Sequence, residues 1–167
     1  MKIVSIAVYQ TYLPLVDGSY AWADGKSVSE YDSTVVIITT DTGISGVGEA
    51  VPLGPNYLPS YAAGVRAGIR ELGPRLLGED PTQLTVLNHL MDYHLKGHPY
   101  VKTALDMACW DILGQGTGLP VNTLLGGNFN PEGIPLYRAI SQGTPEAMAA
   151  TVRKYKDQGY SRFQLKL

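Results

Sequence analysis

Cysteine is almost absent from this chain. Cys109 is the single one in 167 residues, so no internal disulfide can staple the fold, and stability has to come from a packed core. One lone thiol also fits a reducing, cytoplasmic setting, the expected compartment. Long apolar runs are missing too. None approaches the roughly 20 residues that a membrane span needs, so no membrane partner is expected. The opening Met1-Lys2-Ile3-Val4-Ser5-Ile6 has neither the apolar stretch nor the small-residue cleavage site of a secretory signal. Charge of one sign is nowhere concentrated: 13 Lys and Arg against 15 Asp and Glu leave a net charge of −2. No basic stripe points to nucleic acid, and no block reads as a charged tail. Gly46-Val47-Gly48 lacks the next glycine and helix of a nucleotide loop. The 19 glycines and 11 prolines fall at turns, not in a low-complexity tract.

What is present is enough apolar material, 44% against 17% charged, for about one ordinary domain with its own core. Residues 2–13 alternate loosely and predict a strand. Residues 14–31, with Pro14, Asp17, Gly18, Asp24 and Gly25 around Tyr20 and Trp22, predict a long loop. The β-branched run Thr34 to Thr40 predicts a second strand, and Asp41-Thr42-Gly43 a turn into a partner strand over 44–50. After a second loop at 51–57, helical spacing takes over: Ala62, Val65, Ile69 and Leu72 share a face, with Pro74 as an interruption. Asp80-Pro81 predicts the next helix start, Asp80 as cap, with Leu84, Leu87, Met91 and Leu95 as its apolar stripe. A third helix is expected from Pro99 to about Gln115. Val101, Ala104, Leu105, Ala108 and Ile112 form its buried face, with Cys109 beside it.

Beyond about 125–133 the pattern changes. Ile134–Ile140 predicts a strand, Thr144 caps a helix that Gly159 ends, and Phe163–Leu167 predicts a second strand. Strand, helix and strand with short links make a parallel βαβ unit. Lys166 stands at the end of its second strand. A parallel pair with one helix cannot cover both faces of its sheet, so a fragment, or a partner supplying the rest, is expected.

Three stretches together resemble one family. Thr103-Ala104-Leu105-Asp106-Met107-Ala108-Cys109-Trp110-Asp111-Ile112-Leu113-Gly114, followed by Gly118-Leu119-Pro120 and Leu124-Leu125-Gly126-Gly127, resembles the signature helix of the mandelate racemase and muconate lactonizing enzymes. Gly46-Val47-Gly48-Glu49-Ala50 resembles the end of their N-terminal sheet. Phe163-Gln164-Leu165-Lys166 resembles the lysine motif on their second barrel strand. The family belongs to the enolase superfamily. The resemblance implies an α+β capping domain, with a three-stranded antiparallel sheet plus helices, over 1–127. The first βαβ of a truncated (β/α) barrel would follow over 128–167.

It also implies a chemistry: a Mg²⁺ ion stabilises an enediolate while a lysine removes the proton beside a carboxylate. Free lysine is protonated at pH 7, so such a base has to be held neutral by burial and a neighbouring cation. Lys166 takes that role. The family pattern is Lys-x-Lys, and Gln164 replaces the first lysine, removing one neighbouring cation. The metal ligands and an opposite base are expected beyond residue 167, so this piece alone is expected to be inactive. Tyr20, Trp22 and Tyr57 lie in loops that, by the resemblance, close over substrate. They form an aromatic wall able to receive a cationic amine, or merely anchor those loops. Gly54-Pro55-Asn56-Tyr57-Leu58-Pro59-Ser60 is similar to members acting on proline betaines and hydroxyprolines.

The implied activity is epimerisation or racemisation of a proline-type or hydroxyproline betaine carboxylate in a homo-oligomeric full-length enzyme. A hydroxyproline dehydratase or a muconate-type cycloisomerase would use the same half-site. A non-catalytic α+β binding module is the reading of another class. His94 and His98 have metal-like spacing but Pro99 breaks the helix there, so no metal is assigned to this chain. Asp106, Asp111 and Glu49 are expected to be structural hydrogen-bond acceptors, and Cys109 a small buried hydrophobe.

Overall fold

The computed structural model describes residues 1–130 and 132–166. In chain order the elements are β1 (Ile3–Pro14), β2 (Tyr20–Trp22), β3 (Lys26–Val28), β4 (Glu30–Thr40), β5 (Ser45–Ala50), α1 (Ala62–Leu76), α2 (Leu84–His94), α3 (Pro99–Thr117), α4 (Val121–Leu124), β6 (Arg138–Ile140), α5 (Pro145–Asp157) and β7 (Phe163–Leu165). They form two compact units, one of residues 1–13 and 31–128, the other of residues 14–30 and 129–167.

In the first unit the strands lie in the order β1-β4-β5. β4 and β5 are antiparallel, in register from Thr34 opposite Ala50 to Thr39 opposite Ser45. Side chains alternate across a strand, and Thr34, Val36, Ile38 and Thr40 are buried on one face of β4, with Ser33 buried beside them. Val65, Ile69, Leu72 and Leu76 of α1, Leu87 and Met91 of α2, and Val101, Leu105 and Ile112 of α3 complete the core. Each such side chain contributes about 1.5–3 kcal/mol by leaving water, so this core, not the surface charges, decides whether the unit folds.

α3 lies directly on β5, and small residues make that approach possible. A Cβ on Gly46 would stand 2.1 Å from the Ala108 carbonyl oxygen, and one on Gly48 would stand 1.9 Å from that of Ala104. Across the contact, Ala104 and Ala108 are fully buried. The expected structural carboxylates serve the same packing. Asp111 accepts from the Val47 N–H at 2.8 Å, Asp106 from Asn88 at 2.7 Å, and Glu49 from the Ser33 hydroxyl at 2.5 Å. Cys109 is buried, and burial pushes its thiol up from 9.0 to about 12, with Asp106 adding to the rise.

The helix limits differ from the sequence expectation at two prolines. Pro74 does not interrupt α1, which runs to Leu76, although it lacks the N–H that would bond four residues back. Asp80 does not cap α2, which begins at Leu84 after Gln83. Its carboxylate accepts instead from the N–H of Thr82 at 3.0 Å and the hydroxyl of Thr82 at 2.7 Å. That local turn competes with helix initiation.

In the second unit the loop expected over 14–31 contains a hairpin: β2 and β3 pair antiparallel, Tyr20 opposite Val28 and Trp22 opposite Lys26. β6 and β7 pair in parallel, with Arg138 opposite Phe163 and Ile140 opposite Leu165. β6 is shorter than the expected 134–140 because Pro135 lacks an N–H for a ladder. β7 ends at Leu165, and Leu167 lies outside the described residues. Between the strands, α5 is capped by the Thr144 hydroxyl, which accepts from the Ala147 N–H at 3.3 Å. Gly159 follows the helix at φ 94. Buried apolar side chains here are few: Trp22, Ile140 and Tyr155.

Three expectations follow for the first unit. Gly48→Ala should cost about 3 kcal/mol, because backbone on both sides blocks relief. Gly116→Ala in α3, whose added Cβ meets nothing closer than 3.6 Å, should stabilise by up to about 1 kcal/mol; urea midpoints would read both. Cys109 should resist a disulfide reagent at pH 8 until the unit unfolds, since the thiolate is the reactive form. Stoichiometric labelling of the folded chain within seconds would contradict the burial.

Candidate active site

In the second unit Lys166 and the segment 140–142 lie at the carboxyl ends of the parallel strands. The Lys166 N–H donates to the Ile140 carbonyl at 3.1 Å, carrying the β6–β7 ladder one residue beyond β7. Lys166 is thereby held beside the end of β6 and is half-buried. The hairpin hooks onto the same strand end. The Ala21 N–H donates to the Ser141 hydroxyl at 2.7 Å, and the Gln142 N–H donates to the Ala21 carbonyl at 2.9 Å. Tyr20 and Trp22 flank Ala21, their ring centroids 6.1 Å apart and tilted by 34°. Trp22 is buried, and Tyr20 is half-buried. Lys166 and the two loop aromatics therefore belong to one unit and share the 140–142 segment as support. Gln164, exposed, stands where the family pattern has its first lysine.

A charged staple holds the start of the hairpin segment. Arg138 donates to Asp17 at 3.0 Å and Lys154 donates to it at 3.2 Å, and the Tyr155 hydroxyl donates to the same carboxylate. Arg138 also donates to the Tyr155 hydroxyl at 2.7 Å, with its guanidinium carbon 4.2 Å from the centre of that ring. Hydrogen bonds from Tyr155 and Lys154 hold the Asp17 carboxyl below the usual carboxylate range. The neck of the segment is closed by the Leu15 N–H on the Ser29 carbonyl at 2.9 Å. Sequence reasoning missed this staple. Its partners lie 121 to 138 residues apart, and no local spacing announces such pairs.

Tyr57 belongs to the first unit. Its N–H and that of Leu58 both donate to the Gly54 carbonyl, at 3.1 and 3.2 Å, and Gly54 adopts φ 125, a backbone that favours glycine. This turn leaves Tyr57 half exposed. Among the described residues, no three His, Cys, Asp or Glu side chains gather as metal ligands, so the residues present do not form a magnesium site. No helix among them is long and apolar enough to cross a membrane.

An antiparallel sheet backed by helices, then a parallel strand pair with a lysine at its carboxyl end, defines an N-terminal portion of an enolase-superfamily fold. The family model for the mandelate racemase / muconate lactonizing enzyme N-terminal domain matches residues 23–126, and the chain belongs to that family. It is 52% identical over its whole length to cis-3-hydroxy-L-proline dehydratase of Roseibium aggregatum, covering 45% of that protein. It is 33% identical over its whole length to N-succinyl-L-Arg/Lys racemase of Bacillus cereus, covering 44%. A crystal structure of an enolase superfamily member from Roseovarius nubinhibens, complexed with magnesium, superposes with a TM-score of 0.89 at 43% identity. That match takes in 99% of this chain and 44% of the other. The chain thus spans less than half the length of these relatives.

Asp17→Asn should lower the melting temperature at pH 7 by a few degrees. Asp17 is 43% exposed, so solvent screening limits the effect to about 1 kcal/mol. Because the folded carboxyl is held below its ordinary 3.8, its contribution is complete above that value and lost as pH falls through the folded one. Melting curves of the two proteins should therefore draw together progressively as pH falls below 3.8, and a gap that stays constant down to the lowest pH at which both fold would rule out the charge as its source.

Proposed function

We propose that this chain is the N-terminal part of an enzyme that removes the proton beside the carboxylate of a proline-type amino acid, with Lys166 as the base. The observation that carries the reading is the placement of Lys166. It sits at the carboxyl end of a parallel strand, where barrel enzymes concentrate their chemistry, and its backbone is bonded to the strand end that also seats the Tyr20–Trp22 hairpin. In the proton-transfer step the uncharged Nζ takes the α-proton and the C–H electron pair stays on the substrate. Tyr57, Tyr20 and Trp22 are assigned to the substrate's walls, where ring faces suit a ring bearing a cationic nitrogen.

Dehydration of a cis-3-hydroxyproline is the favoured outcome, supported by 52% identity along the whole chain to an enzyme of that name. There the electron pair expels the β-hydroxyl, which leaves as water once protonated. Epimerisation, in which a proton returns on the opposite face, is the second reading, supported by the likeness to a racemase. Magnesium dependence belongs to the same proposal, with ligands assigned outside the described residues. Homo-oligomeric assembly of the whole enzyme is proposed with it.

The test is substrate deuteration in D₂O, catalysed by the full-length protein that carries this chain. With cis-3-hydroxy-L-proline or a proline betaine as substrate, α-proton loss or exchange is expected. Lys166→Ala should slow it by about 10³-fold or more. Exchange at the original rate in that variant would remove Lys166 from the mechanism. Water loss against stereochemical inversion in the product would separate the two outcomes.

A further inference from the structure

Ala21 lies between the two aromatic residues of the hairpin, and its backbone is bonded to the end of β6 on both sides. Its N–H donates to the Ser141 hydroxyl at 2.7 Å, and its carbonyl accepts from the Gln142 N–H at 2.9 Å. The Ser141 hydroxyl reaches back to the same carbonyl at 3.5 Å. A side-chain oxygen, 120 residues away in sequence, therefore takes the Ala21 N–H. Ala21 and Ser141 are both half-buried, and Trp22 is 8% exposed. The neck of the segment is secured elsewhere, by Asp17 with Arg138, Lys154 and Tyr155, and by Leu15 on Ser29. The contact at Ala21 holds the strand that carries the two rings. Lys166 is bonded to the neighbouring residue, Ile140, through backbone alone. The Ser141 side chain thus supports the hairpin and takes no part in the bond that holds Lys166.

We propose that Ser141 is a positioning residue: its hydroxyl sets where the Tyr20–Trp22 pair stands relative to Lys166, and so how tightly substrate is held. This rests on the reading of Lys166 as the base and of the two rings as substrate walls. Ser141 acts through the hairpin and needs no contact with the reacting atoms. Ring faces pack on the body of a substrate in the ground state and in the transition state alike, and such uniform binding shows in KM, not in kcat. Proton transfer depends on Lys166, whose bond to Ile140 does not involve the Ser141 side chain. Removing the hydroxyl leaves the half-buried Ala21 N–H without this acceptor, which costs more than losing both partners of a bond together. The strand then shifts to regain an acceptor, and the rings move with it. Threonine keeps the oxygen and keeps the role. Valine has the shape of threonine without the hydroxyl and loses it.

The test has two arms. In the 167-residue chain, hydrogen exchange followed by NMR should show the Ala21 amide exchanging about tenfold faster in Ser141→Ala. The Lys166 amide should be unchanged, and Ser141→Thr should restore the original Ala21 rate. In the full-length protein that carries this chain, Ser141→Ala should raise KM for cis-3-hydroxy-L-proline or a proline betaine about tenfold, with kcat within about twofold. Ser141→Thr should bring KM back. Thr144→Ala, which removes the α5 cap in the same unit, is the comparison for a merely structural loss: it should lower the melting temperature and leave KM unchanged. If Ser141→Ala melts early, Ser141→Val against Ser141→Thr carries the same comparison in folded proteins. The proposal is overturned by an unchanged Ala21 exchange rate, by a fall in kcat at constant KM, or by Thr144→Ala raising KM as much as Ser141→Ala. Failure of the Lys166 assignment shows separately, as undiminished α-proton exchange in Lys166→Ala with Ser141 intact, and the Ala21 exchange rate still decides the placement of the hairpin.

Discussion

The first unit depends on how closely α3 can approach β5. Two glycines on the strand and two alanines on the helix bring backbone almost against backbone. At that distance the pleat of the sheet sets where the helix lies, and the larger side chains, Leu105 and Ile112, are directed into the rest of the core. Dispersion contacts at such separations are individually small and collectively large. Asp111 and Gln115 then tie the helix to the β5 backbone, at Val47 and Ser45. The start of α3, where His98 and Tyr100 stand, inherits its position from this contact.

The second unit is organised on a different principle. It buries few large apolar side chains and relies on directed polar contacts: the Asp17 cluster, the Ser141 hydroxyl and the short parallel ladder. Such contacts contribute about 0.5–1.5 kcal/mol each, less than a core leucine. They fix direction more than they add stability. They set where Lys166 and the Tyr20–Trp22 pair stand beside one strand end.

Much of this was legible from the sequence. The β-branched run of β4, the small-residue pattern of α3 and the Thr144 and Gly159 signals of α5 each name their element, because each is a local preference. The family motifs placed Lys166 correctly at a strand end. What escaped was non-local or competitive. Nothing near Asp17 shows that it meets Arg138 and Tyr155. The pairing of β2 with β3 was hidden in a stretch whose glycines and aspartates look like an open loop. Asp80 is a good helix cap in isolation, but Thr82 offers it nearer donors. Pro74 reads as a break, yet α1 continues two residues past it.

The path of the chain carries one more consequence. Residues 14–30 are covalently part of the antiparallel sheet's connection, yet their hydrogen-bond partners lie more than a hundred positions later. An evolutionary exchange of the segment after residue 128 for an unrelated one would also strip Asp17 and Ala21 of what they bind. A change at Asp17 is therefore felt at Arg138 and Tyr155, and the early and late pieces of the second unit stand or fall together.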